Sequence, residues 1–208
     1  ANRSCHASSV KHCDQFALQA ALDAAVAEKK VLRIPPGRFR LTDGLRIQHA
    51  SACIEGADRE HTILDVSEAH TACFWIAGGK SVTIRNLSMT GHTGFLELPA
   101  TSAFRTLGNR NFWPTANQQM EVYGCAAVNA VSTEYMLFED LNVTRMASEA
   151  FYLHGSDRSG GTPLIQSQQA EIPGLNAQYQ RNCIFRNCRV TDCGFNAFNN
   201  NDAGENTW

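Results

Sequence analysis

The chain has 208 residues, of which 18% are charged, and a formal net charge of -2. That length can bury a sizeable core, whereas the charge balance excludes the basic surface that nucleic-acid binding requires. No apolar run approaches the roughly 20 residues of a membrane span, so neither nucleic acid nor a membrane is expected as a partner.

The first residues, Ala1-Asn2-Arg3-Ser4-Cys5, carry no basic-then-apolar leader, and a signal already removed is the expectation. Eight cysteines are many for a cytosolic protein of this size, which favours a secreted or periplasmic location. Cys5 and Cys13 lie close together ahead of the first regular element and are expected to form a disulfide. Asp14 is a candidate N-cap for a helix with Phe16, Leu18, Ala21, Leu22, Ala25 and Val26 at helical spacing, ending at Lys29-Lys30. Short strands then follow at Val31–Ile34, Arg38–Leu41, Leu45–Ile47 and Cys53–Gly56, with Pro35-Pro36-Gly37 as a turn. The helix is expected to cover the open first turn of whatever these strands build.

Three later segments repeat one pattern: Thr83–Thr90, Leu137–Thr144 and Ile184–Thr191. Each is a short alternating strand, then Asn86, Asp140 or Asn187, then a second short strand ending in Thr. Asn and Asp tolerate a left-handed turn, and such a unit buries its apolar face only by stacking on copies of itself. The fold expected is all-β, a right-handed parallel β-helix with an N-terminal capping helix. Its boundaries are a cap over 1–30 and stacked turns over 31–208. In this register Asn86, Asp140 and Asn187 form a structural ladder, and Cys183 and Cys188 replace Met136 and Leu141 as core residues. Cys73 and Cys125 lie in similarly apolar strands, and no paired CxxC pattern suggests zinc.

From Asp14 to Leu64, the helix, Ile34-Pro35-Pro36-Gly37-Arg38-Phe39 and Ile54-Glu55-Gly56-Ala57 resemble the N-terminal segment of the pectate-lyase-like superfamily. The resemblance implies three parallel sheets per turn and a carbohydrate cleft along one of them. It does not select an activity, because such folds carry lyases, hydrolases, epimerases and tailspikes. The adjacent Asp-Asp and Asn-Thr-Asp motifs of the superfamily's polygalacturonases are absent, which disfavours that type of hydrolase.

The intervals Ile84 to Phe138 and Phe138 to Phe185 exceed the roughly 20–30 residues of one solenoid repeat. The surplus is expected in two insertions, about 90–123 and 156–180, flanking a strand floor as the walls of a groove. Alternation sends Phe151 and Leu153 inward and Tyr152 and His154 outward. The outward column expected is Asn129, His154 and Asn201, with Tyr152 and Asn199 beside it. Exposed Phe112, Trp113 and Tyr123 of the first insertion are candidates for stacking on sugar rings.

β-Elimination on a uronate needs a cation for its carboxylate, a base and an acid, roles open to Arg145, Tyr152 and His154. The function expected is a polysaccharide lyase or epimerase acting on a uronate-containing glycan. One alternative is a glycoside hydrolase with paired carboxylates, drawn from Glu149, Asp157, Asp192, Asp202 and Glu205, with Asp202 foremost. Another is a non-catalytic, tailspike-like adhesin. No cofactor is expected, and calcium would need clustered carboxylates that the sequence does not assemble. The three glycosylation sequons at Asn2, Asn86 and Asn142 include two inside the repeat and are taken as chance matches. Because the repeats reach Trp208 without a closing cap, the chain is expected to be the N-terminal part of a longer β-helix. The remainder would be a missing segment or a second chain.

Overall fold

The structure is a computed structural model that describes residues 14–69, 71–91, 126–147, 149–154, 182–194 and 196–201. Among them are one helix, α1 (Gln15–Ala27), and the strands β1 (Val31–Ile34), β2 (Gly37–Arg40), β3 (Leu45–Gln48), β4 (Ala52–Gly56) and β5 (Thr62–Asp65). There follow β6 (Phe74–Ala77), β7 (Lys80–Thr90), β8 (Val128–Val131), β9 (Glu134–Thr144), β10 (Phe151–His154), β11 (Ile184–Arg186), β12 (Arg189–Thr191) and β13 (Phe198–Asn201). The protein is mostly β, and every described strand pairing is parallel.

Alternation in the sequence explains the strands. In β1 the pattern exposes Val31 and Arg33 and buries Leu32 and Ile34, the signature of a strand with one face on the core. An eight-stranded sheet holds β1, β2, β4, β5, β7, β9, β11 and β12, and a five-stranded sheet runs β13-β10-β8-β6-β3. The first half of β7 pairs with β4 and its second half with β5, while β9 pairs likewise with β11 and β12. In-register stacking aligns apolar residues into columns: Ile54, Ile84 and Phe138 in one sheet, Leu45, Phe74, Val128 and Phe151 in the other, all fully buried. Burying such columns removes apolar surface from water at about 25 cal/mol per Å², the main favourable contribution to folding.

In the first two copies the repeat is a bend within one strand, and in the third it is two strands and a turn, as expected. β7 and β9 each run through eleven residues and bend where Asn86 and Asp140 take left-handed φ angles of 57° and 51°. Asn187, between β11 and β12, has φ 51° and donates its side-chain amide to Asp140 Oδ1. The expected ladder is thus a stack of left-handed bends with amide–carboxylate bonding. Cys73 and Cys183 are buried and Cys188 packs partly on the core. Cys125 and the proposed Cys5–Cys13 disulfide lie outside the described residues.

Two expectations for α1 need correction. Asp14 makes no capping bond to the helix; its Oδ2 accepts the N–H of Arg40 at 2.9 Å, and its own N–H donates to Arg40 O at 2.9 Å. The residue therefore ties the helix start to the end of β2. Phe16 is 59% exposed, and the packed face is instead Gln15, Leu18 and Leu22, with Ala25 and Val26 partly buried. Gln15 goes inside because its amide donates to Gly44 O and accepts from Asp43 N at 3.4 Å. At the other end Lys29 is left-handed (φ 53°), its N–H donates to Val26 O and that of Lys30 donates to Ala25 O. This Schellman arrangement closes the helix without glycine. The helix packs on β1, β3 and β4.

The outer face of the larger sheet carries a row of alternating charge, Arg33, Glu55, Arg85, Glu139 and Arg186, each opposite the next. Glu55 lies 3.3 Å from Arg85 and 3.8 Å from Arg33, and Glu139 lies 2.9 Å from Arg186. Such half-exposed pairs each contribute at most about 1 kcal/mol, but like charges at these positions would destabilise the sheet.

Asp65 is the buried member of another pair. Burial alone would raise its carboxyl, but hydrogen bonds from Ser67 and Arg38 outweigh this and hold it below the usual range. The sign follows: the depressed group stabilises the fold above its unfolded pKa of about 4 and loses that contribution as pH falls through the lower folded value. Replacing Arg38 with Met is expected to flatten the fall in melting temperature between about pH 5 and pH 2, measured by circular dichroism. An unchanged acid limb would refute the pairing's role.

Candidate functional site

The five-stranded sheet turns Leu45, Phe74, Val128 and Phe151 toward the core. One residue further along each strand, the side chains belong to the opposite face. Register aligns these as Arg46, Trp75, Asn129, Tyr152 and Asn199, one from each strand. With neighbouring strands about 4.8 Å apart, the row spans on the order of 20 Å. It joins a guanidinium, an indole, two amides and a phenol.

Tyr152 was expected outward beside Asn199, and the two are indeed opposite each other. Asn129, however, lies opposite Tyr152 rather than His154. His154 is aligned with Val131 on one side and Asn201 on the other. The reason is positional: Asn129 and Tyr152 are both second in their strands, and parallel in-register pairing matches position, not residue type. A second correction concerns exposure. Asn129 and Tyr152 are only 1% and 3% exposed, so this part of the row is not an open floor. Arg46, Trp75 and Asn199 are half-buried.

Polar bonds organise the row at both ends. Glu149, 2% exposed, accepts the side-chain amide of Asn199 at 3.0 Å. At the far end Trp75 Nε1 donates to Thr71 Oγ1 at 3.1 Å, and Arg46 pairs with Asp43 at 3.1 Å. The backbone of Arg46 is bracketed by Gln19 of α1, which accepts its N–H at 2.8 Å and donates to its carbonyl at 3.0 Å. The helix thereby fixes β3 and the cationic end of the row.

Arg145 lies off the row. It follows β9 at a corner, exposed and left-handed (φ 59°), with its N–H donating to Thr191 O at 3.1 Å. Asp202, Phe112, Trp113, Tyr123 and both proposed insertions lie outside the described residues, apart from Thr90 and Gly91. Trp75 and Arg46 were not anticipated, although Phe74-Trp75-Ile76 has the same in-out-in pattern as Phe151-Tyr152-Leu153. Glu149 was noted as a carboxylate but not as Asn199's partner.

Thiol chemistry is disfavoured at Cys73, Cys188 and Cys193, since burial pushes their thiols up and thiolate is the reactive form. Among the described residues no group of three or more His, Cys, Asp or Glu is placed to hold a metal, and no helix is long and apolar enough to cross a membrane. No protein-family model matches the chain, and neither a curated protein nor a solved structure does. The row on the five-stranded sheet is therefore the basis for a functional reading.

Proposed function

We propose that the chain is a right-handed parallel β-helix of the pectate-lyase-like kind, secreted or periplasmic, acting on a uronate-containing polysaccharide as a lyase or epimerase. Five passes through three strand positions support the fold: β1-β2-β3, β4-β5-β6, the halves of β7 with β8, the halves of β9 with β10, and β11-β12-β13. The observation that carries the function is the in-register row Arg46-Trp75-Asn129-Tyr152-Asn199. Aromatic faces and amides alternate along it at a spacing suited to an extended chain of hydroxylated rings.

In the elimination, neutral His154 takes the proton from C5 of the uronate. The released electron pair forms the C4–C5 double bond and expels the C4 oxygen, which receives the proton of the Tyr152 phenol. Arg145 pairs with the uronate carboxylate and stabilises the charge that develops beside it. Epimerisation shares the first step and returns a proton to the opposite face of C5. Glu149, through Asn199, positions the Tyr152 end of the row.

Tyr152→Phe is expected to lower kcat about 100-fold or more while the far-ultraviolet dichroism is unchanged. The assay is ultraviolet absorbance of the unsaturated product, or solvent deuterium uptake at C5 for the epimerase. New reducing ends without unsaturation would instead identify a hydrolase using carboxylates such as Asp202. A second reading, glycan binding without catalysis through the half-buried Arg46, Trp75 and Asn199, is favoured by the burial of Tyr152, the proposed acid. Saturable binding with no product and no deuterium uptake would select it.

A further inference from the structure

The row on the five-stranded sheet is not uniform. Asn129 and Tyr152 in its middle are buried, whereas Arg46 and Trp75 at the α1 end are half-buried and lie opposite each other on neighbouring strands. The indole is held in place. Its Nε1 donates to the buried Thr71 Oγ1 at 3.1 Å, and its edge lies against Gly44, where a Cβ would stand 3.1 Å from Cδ1. Among the described residues no other ring packs on it.

Beside the indole stands an ion pair rather than a bare cation. Arg46 Nη2 donates to Asp43 Oδ1 at 3.1 Å, with the side chains 39% and 48% exposed. Among the described residues neither side chain has another partner, so Arg46 keeps Nε and Nη1 as donors and Asp43 keeps Oδ2 as an acceptor. Two glutamines of α1 fix the backbone that carries the pair. Gln15 accepts the N–H of Asp43 and donates to Gly44 O, and Gln19 binds both the N–H and the carbonyl of Arg46. A corner held in this way has little ordering left to lose when a ligand arrives.

We propose that Asp43, Arg46 and Trp75 form a subsite for an uncharged sugar ring, so that the polysaccharide read by the row carries neutral residues as well as uronate. The ring stacks on the indole face. A hydroxyl is donor and acceptor at once, and the ion pair answers both needs: Asp43 Oδ2 accepts from one hydroxyl and Arg46 donates to another. A carboxylated ring fits worse, because Arg46 is already neutralised and Asp43 repels a second anion. Two strands separate Trp75 from Tyr152, on the order of 10 Å, so the subsite selects a sugar at a distance from the proposed acid. The inference rests on the glycan reading of the row, not on its elimination chemistry.

Short probes separate this subsite from the rest of the row: cellotriose, trigalacturonate and the fully methyl-esterified trigalacturonate, which keeps the rings and removes their charge. Each is titrated with the 208-residue chain and followed by proton NMR of the sugar. Both neutral trimers are expected to bind saturably, with upfield shifts from the indole ring current. Their affinity is expected to change less than about twofold between roughly 0.05 and 0.5 M salt. Free trigalacturonate is expected to bind about fivefold more weakly than its ester, and Asp43→Asn to erase or reverse that preference. Trp75→Ala is expected to remove the upfield shifts and weaken neutral binding about fivefold. Trp75→Phe, which keeps a ring, is expected to retain smaller shifts and serves if the alanine variant fails to fold. No saturable binding of either neutral trimer overturns the proposal, as does binding that both Trp75 variants leave unchanged. So does tighter, salt-sensitive binding of the free acid, which would make this an anion site. None of these outcomes requires an unsaturated product, so a chain that binds neutral trimers as expected but never cleaves uronate fails the lyase reading alone.

Discussion

Phe151→Ala is expected to lower the unfolding free energy by about 3–5 kcal/mol, the range for a fully buried aromatic truncated to alanine. Phe151 has no exposed surface. Its ring stacks on Phe198 with centroids 5.3 Å apart and planes 6° from parallel, and it meets Phe138 at 5.2 Å and Phe185 at 5.0 Å. Phe138 and Phe185 themselves stack at 5.0 Å, and Phe185 meets Phe198 edge-on at 4.8 Å. The truncation therefore removes three ring contacts at once, each worth about 0.5–1.5 kcal/mol beyond area burial.

The cavity cannot readily collapse. β10 is hydrogen-bonded to β8 on one side and β13 on the other, so its backbone cannot move inward without breaking two ladders. Where relaxation is blocked, the cavity term stays near its upper value. Phe198→Ala, at a partly buried position in the end strand, is expected to cost less than Phe151→Ala. Urea unfolding followed by circular dichroism measures both. A Phe151→Ala loss under about 1.5 kcal/mol, or a larger loss at Phe198, would mean that the four rings do not form one rigid cluster.

Much of this core was legible because alternation is a local signal. Phe151 and Leu153 inward, Cys183 in the place of Met136, and the left-handed bends at Asn86, Asp140 and Asn187 all follow from residue type and period. Left-handed conformations at Lys29, Ser81, Tyr135 and Arg145 were not legible, because these side chains carry no preference for that region. At Ser81 and Tyr135 the stacked neighbour imposes the backbone, for the two occupy equivalent places at the starts of β7 and β9. Tertiary bonds hid two more features. Gln15 displaced Phe16 from the packed face because of its bonds to Gly44 and Asp43. Glu149 met Asn199 from 50 residues away in the sequence. The misplacement of Asn129 has a similar origin. Register between strands that are not consecutive in the chain is set by pairing, and no period in the sequence reports it.

Gly44→Ala is expected to cost at least about 3 kcal/mol, and the reasoning separates backbone conformation from space. Gly44 has φ +67°, where an L-residue loses about 1–2 kcal/mol. A Cβ there would also stand 2.1 Å from the carbonyl oxygen of Ala72 in the next layer of chain. That oxygen cannot swing aside, because the adjoining Cys73 is held on both sides: Leu45 N donates to its carbonyl at 2.7 Å, and its N–H donates to Ala126 O at 3.3 Å. The methyl must therefore push β3 and β6 apart or tilt the corner, and the corner's own carbonyl is the acceptor for Gln15. Helix, corner and first layer would loosen together, carrying Arg46 and Trp75 with them. His49→Ala provides the comparison: His49 is also left-handed (φ 50°) but exposed and already bears a Cβ, so the change is expected to cost under about 1 kcal/mol. A loss of only about 1–2 kcal/mol for Gly44→Ala would show that conformation alone, not the close approach of Ala72, makes glycine necessary at 44.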